Sequence, residues 1–208
     1  MEAFSISNIM RQIVTVLDIP VKVVLIILLV ISLIMLGGLI AEYFQRKYIS
    51  VKAASMIDAI KKGDNDPATI IKNSLLLIMQ KRLLIELTIH KELSNSMKEN
   101  YAVSLLDNYN QNRDFTIKKS DLIIKLGPTF GLLGTLIPLG PGIIALAGGD
   151  TITLSNSLLA AFDTTVIGLV SAAICTVISL VRRRWYSKDR VMLTLLMEAV
   201  LEEEKKSD

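Results

Sequence analysis

Three side chains in the apolar C-terminal half of the chain have the chemistry to handle an ion: Thr135, Asp163 and Thr165. A threonine hydroxyl supplies one donor and two acceptor lone pairs, which suits an ion or a hydrated proton. A carboxylate among apolar residues must face protein, water or an interface, or else carry a proton. Asp163 stands two residues before Thr165, about 200° around a helix, and is therefore expected off the face that carries the threonine. Proton handling, a hydrogen bond to a neighbouring subunit and a charge in an outer vestibule all suit it.

The threonines belong to two series of small residues. Gly127, Gly131 and Thr135 lie four apart, with Pro138 and Gly142 continuing near the same face. Leu158, Ala161, Thr165, Gly168, Ala172 and Thr176 follow at steps of three or four. Such stripes let helix backbones approach closely, and threonine hydroxyls can bond back to carbonyls of their own helix. Packing alone and a seam that also lines an ion route are both open on these residues. Pro138 and Pro141 each remove a backbone donor and release a carbonyl one turn earlier. A bend, or a freed polar group needing a partner inside the membrane, is the expected result. Other chemistry is missing: no nucleotide loop, nucleophile elbow, zinc-protease motif or paired carboxylates occur, His90 stands alone, and the single Cys175 excludes an internal disulfide. No enzyme, cofactor or metal is expected.

These residues need a membrane to hold them. Of 208 residues, 51% are hydrophobic and 21% charged, which fits a small soluble domain poorly. A net charge of +3 is too small for a nucleic-acid footprint, so lipid and not nucleic acid is the expected surrounding. Residues 23–41 carry no charge over 19 positions, about 28 Å as a helix, enough to cross the hydrocarbon core. They read as a retained anchor, since the run exceeds a signal-peptide core and its basic flank follows it. Residues 126–149 are uncharged, and residues 151–181 carry only Asp163, so the two runs predict an antiparallel hairpin turning at 148–156. Residues 42–125 contain 14 Lys and Arg, the turn contains none, and Arg182, Arg183, Arg184 and Lys188 follow the third run. The positive-inside rule then places the N-terminus and turn outside and the rest in the cytoplasm.

The expected architecture is an all-α polytopic membrane protein with three transmembrane helices and a cytoplasmic helical extension. Its parts are an outward amphipathic lead-in at 1–18, transmembrane helix 1 at 19–42 and a cytoplasmic helical domain at 43–125. Transmembrane helices follow at 126–149 and 153–181, with a cytoplasmic C-terminal helix and tail at 182–208. Within the cytoplasmic domain a helix is expected over 43–60, a turn at 61–67, and an amphipathic helix or helical pair carrying Ile70, Ile71, Ile78, Leu83 and Leu87. A further helix near 101–108 is expected to end in the polar NYNQNRD stretch at 108–114.

The stretches GPTFGLLGTLIPLG at 127–140 and SLLAAFDTTVIGLVSA at 157–172 resemble the two pore helices of the MotA/TolQ/ExbB proton-channel family. GLLGT at 131–135 and TVIGL at 165–169 carry the match, and the order of span, helical domain and hairpin is similar to the three-span TolQ/ExbB type. The resemblance implies Thr135 and Thr165 as ion-pathway residues and Gly131, Gly134 and Gly168 as close-packing positions. It also implies a homopentamer around a dimer of a single-span ExbD-, TolR- or MotB-like protein, whose intramembrane aspartate takes the proton. Two features depart from the family pattern: Pro138 and Pro141 occur together, and Asp163 stands where an apolar residue is usual. The expected function is a ring-forming subunit of an ion-gradient-driven, proton-using membrane motor that energises the single-span partner. The alternative is a noncatalytic membrane scaffold assembled through small-residue helix faces.

Overall fold

The structure, a computed structural model, describes residues 2–48, 67–74, 76–89 and 95–207. Its described elements are helices: α1 (Glu2–Tyr48), α2 (Pro67–Asn73), α3 (Ile78–Ile89), α4 (Asn95–Ala147) and α5 (Thr151–Ser207). Three of them, α1, α4 and α5, are long and apolar enough to cross a membrane. The chain is thus an all-α, multi-pass membrane protein with additional helical segments. His90, residues 61–66 of the turn expected at 61–67 and residues 49–60 of the helix expected at 43–60 lie outside the described residues.

The break expected at 108–114 does not occur, because α4 continues through it. Asparagine and glutamine cost a helix only a few tenths of a kcal/mol each, whereas Tyr109 and Ile117 are buried from the same helix. Burial of such side chains is worth about 1.5–3 kcal/mol apiece and outweighs propensity. Proline is likewise accommodated inside helices, at Pro20 in α1 and at Pro128, Pro138 and Pro141 in α4.

The chain divides into two compact units. The first comprises Met1–Leu39 and Lys118–Leu180. Leu28, Ile123 and Cys175 form its core, with Leu25 and Ile178 also fully buried. Three of its buried hydroxyls are bonded: Ser32 donates to the Leu29 carbonyl at 2.7 Å, Ser171 to the Ile167 carbonyl at 2.8 Å, and Ser179 to Asp121 Oδ1 at 2.8 Å, whereas the buried Ser120 Oγ has no partner. The outward faces are apolar, with Ile26 and Ile34 on α1, Leu132 and Leu136 on α4, and Leu159 and Phe162 on α5 exposed. Lipid or neighbouring helices are the surroundings such faces require.

The hairpin between α4 and α5 turns in three residues, Gly148, Gly149 and Asp150, so the expected turn region beyond Asp150 is already helix. Gly149 adopts φ +82°, a left-handed conformation that glycine takes without strain. Its amide donates to the Leu146 carbonyl at 2.9 Å, and the Asp150 amide donates to the Ala145 carbonyl at 2.9 Å. This pair of bonds closes the end of α4 as a Schellman motif. Asp150 then caps α5, accepting the Thr153 amide at 3.0 Å and the Thr153 hydroxyl at 2.5 Å. Those two bonds, the hydroxyl's first, hold the Asp150 carboxyl below its ordinary value.

The second unit comprises Ile40–Ile117 and Val181–Asp208. Ile71 of α2, Leu84 and Leu87 of α3, and Leu193, Leu196 and Val200 of α5 are fully buried in its core. Beside this core Glu42 of α1 gathers charges from two other helices. It accepts from Arg46 at 3.2 Å and Arg182 at 3.3 Å and lies 3.6 Å from Arg113. Arg46 also grips Asp189 with two bonds of 3.0 and 2.6 Å. Trp185 lies 5.0 Å beneath the Arg46 guanidinium, and Tyr186 lies 4.6 Å beneath that of Arg113.

Candidate functional site

Within the first unit, the small residues of α4 meet those of α5 along one seam. A methyl placed on Gly127 would lie 2.5 Å from the Gly168 carbonyl oxygen and 3.3 Å from Ala172 Cβ, so only glycine fits there. At Gly131 the same methyl would meet Thr165 Cα at 3.4 Å, an ordinary contact. At Gly134 it would meet Thr164 Cβ and Oγ1 at 2.6 Å, and at Gly142 it would meet Ser157 Cβ at 3.0 Å. Gly127, Gly131, Gly134, Ala161, Gly168 and Ala172 are all buried. The seam therefore holds the hairpin together by backbone approach, the contact that small residues permit between membrane helices.

Thr135 and Thr165 are half-buried at the edge of this seam. The Thr135 hydroxyl donates to the Leu132 carbonyl at 2.7 Å, and that of Thr165 donates to the Ala161 carbonyl at 3.2 Å. With each proton committed to its own helix, what both oxygens still offer is acceptor lone pairs. Such oxygens suit a cation or a hydronium and repel an anion. Pro138 is half-buried and Pro141 exposed, in a helix that continues past both. Because proline lacks an amide hydrogen, the carbonyls of Gly134 and Ile137 have no helical donor four residues on.

The α5 stripe runs differently from the one expected. Ala161, Gly168 and Ala172 lie on it, but Thr176 is exposed and bonds back to the Ala172 carbonyl at 2.8 Å. Burial instead repeats every seven residues through Ala161, Gly168, Cys175, Arg182, Asp189 and Leu196, with Thr164, Ser171 and Ile178 between. Steps of three and four average 3.5 on a packed face, and two successive steps of four drift off it. Thr164, buried and bonded to the Ala161 carbonyl at 2.9 Å, is thus the threonine in the tightest contact, against Gly134. The paired threonines at 164–165 were the available signal, and only the heptad period separates their roles.

Asp163 is not part of this seam. It is exposed and lines a cavity of about 240 Å³ in the same unit, together with Lys22, Leu25, Ile26, Ala160, Ile167 and the seam residue Thr164. The charge cluster around Glu42 was missed by sequence reasoning: the Glu42–Arg46 pair is an i,i+4 step that could have been read, but Asp189 lies 143 residues from Arg46. Among the described residues, no group of three or more His, Cys, Asp or Glu side chains could hold a metal.

The model of the MotA/TolQ/ExbB proton channel family matches residues 67–193. That span includes α2 to α4, the turn and the seam residues of α5. No curated protein matches the chain.

Proposed function

The chain belongs to the MotA/TolQ/ExbB proton channel family, and on that premise we propose that it is a ring-forming subunit of a proton-driven membrane motor of the three-span TolQ/ExbB type. The family is one of channel and motor proteins without catalysis, so the chain is not an enzyme. The proposed assembly is a homopentamer around a dimer of a single-span ExbD-, TolR- or MotB-like protein carrying an intramembrane aspartate. Its N-terminus and hairpin turn face outward, and its middle domain and C-terminus face the cytoplasm, following the lysines and arginines on 42–125 and after 181.

One observation carries the reading: Thr135 and Thr165 flank the glycine seam with hydroxyl oxygens left as acceptors. A protomer of this size cannot enclose a passage alone. In a ring, such oxygens would pass protons to a carboxylate on a partner helix held at the centre. Protonation would change how that helix packs against the ring and so drive movement. The scaffold reading draws on the same bonds, since hydroxyls tied to their own helix also suit packing.

Liposome flux separates the two. With the single-span partner co-expressed, Thr135→Val and Thr165→Val should each lower proton flux at least tenfold while native mass spectrometry shows the wild-type assembly. Unchanged flux in both variants, or no flux in an assembled wild-type complex, would leave only the scaffold.

A further inference from the structure

Asp163, exposed on α5, lines the mouth of its cavity without a hydrogen bond or ion pair to any described residue. The other ionisable group lining that cavity is Lys22, on α1. Lys22 is held elsewhere, by Asp18 one turn back, with Nζ 2.6 Å from Oδ2. The second oxygen of Asp18, Oδ1, is buried and has no partner. Lys22 thus has a carboxylate on either side, Asp18 in contact and Asp163 across the cavity, and the remaining walls, Leu25, Ile26, Ala160, Thr164 and Ile167, supply no charge.

Among the described residues that line the cavity, Lys22 is the one cation. Residues 126–147 of α4 contain no ionisable side chain, and Asp163 is the only one between 151 and 181 on α5 apart from the thiol of Cys175. In both α1 and α5 a charge-free stretch begins at the next residue, 23–41 and 164–181. A carboxylate at such a place must be protonated, hydrated or paired. A lysine ammonium has three donors on a flexible four-carbon stem, and the bond to Asp18 uses one of them.

We propose that Lys22 is the counter-ion of Asp163 and exchanges between Asp18 and Asp163 as Asp163 gains and loses a proton. While Asp163 is neutral, Lys22 stays on Asp18 through the 2.6 Å bond. When Asp163 gives its proton to water in the cavity, its carboxylate draws Lys22 across and away from Asp18. The ammonium keeps its protons throughout, and the single proton transferred moves between the Asp163 carboxyl and water. This makes the α1–α5 cavity a two-state, proton-sensitive element that adjoins the glycine seam at Thr164 but does not include Thr135 or Thr165. The proposal rests on the membrane-spanning reading of the chain but not on conduction through Thr135 and Thr165.

The full-length protein in lipid nanodiscs tests it by infrared spectroscopy of the protonated-carboxyl band, assigned by its loss in Asp163→Asn. Lys22→Gln should move the disappearance of that band to higher pH by about one unit or more, a tenfold rise in proton affinity. Lys22→Arg should leave it near the wild-type position. Asp18→Asn, which frees the ammonium for Asp163, should move it to lower pH, and it carries the same test should Lys22→Gln fail to fold. An Asp163 band that ignores both Lys22→Gln and Asp18→Asn, or that is absent at every pH, would overturn the proposal. Flux plays no part in this readout, so its outcome is independent of the liposome experiment.

Discussion

At the scale of single residues, the seam separates glycines that are required from glycines that are merely present. A methyl at Gly127 would press on the backbone oxygen of Gly168, which no side-chain rotation relieves, whereas a methyl at Gly140 would meet nothing within 4 Å. Gly127→Ala should therefore lose about 1–3 kcal/mol, as overpacked sites do. Gly140→Ala should be neutral or slightly stabilising, because alanine is the better helix former. Thermal unfolding of the two variants in the same detergent checks the contrast. Much of this was legible in advance: glycine at spacings of four in an apolar run has few explanations other than close approach. Which of two adjacent threonines faces the glycine was not, since that depends on whether the face repeats at 3.5 or 3.6 residues, a difference that grows only over several turns.

At the scale of elements, the hairpin turn was expected but drawn too long. Gly-Gly-Asp followed by a threonine at Thr153 encodes a left-handed helix end and an N-cap in immediate succession, and the polar residues beyond Asp150 were read as loop when they form the first turns of α5. The cap has a pH signature. Because the Asp150 carboxyl is held below its ordinary value, the stability it contributes is complete above the ordinary carboxylate range and is lost as pH falls through the lowered value. Asp150→Asn keeps an acceptor for the Thr153 amide but does not titrate. The difference in Tm between wild type and Asp150→Asn should be constant near neutral pH and should shrink as the solution is taken below pH ~4. The unbroken course of α4 through 108–114 was hidden for a different reason: local polarity spoke for a loop, and only the partners of Tyr109 and Ile117, far away in sequence, spoke against it.

At the scale of the whole molecule, the three long helices and the hairpin order were legible because a bilayer imposes length and charge rules on sequence that water does not. The ionic cluster of the second unit was not, since its members come from α1, α4 and α5 and meet only on folding. Glu42 is its hub, receiving Arg46, Arg113 and Arg182. Glu42→Gln would leave those three guanidiniums with Asp189 as the remaining carboxylate of the group, and removing one partner of a buried ion pair costs about 3–5 kcal/mol. A loss near the lower end is expected, because the Glu42 side chain retains 17% exposure. Chemical denaturation should show a smaller loss for Glu42→Asp, and high salt should change neither value much, since buried pairs are poorly screened. The turn at Gly148, Gly149 and Asp150 has a consequence for biogenesis. In the proposed topology a newly made chain carries this corner across the bilayer, and each unpaired amide or carbonyl taken into hydrocarbon costs several kcal/mol. Bonds from Gly149 and Asp150 pair the carbonyls of Leu146 and Ala145 before any water is needed, so the two helices can be inserted together, with Asp150 the only charge the corner brings to the far side.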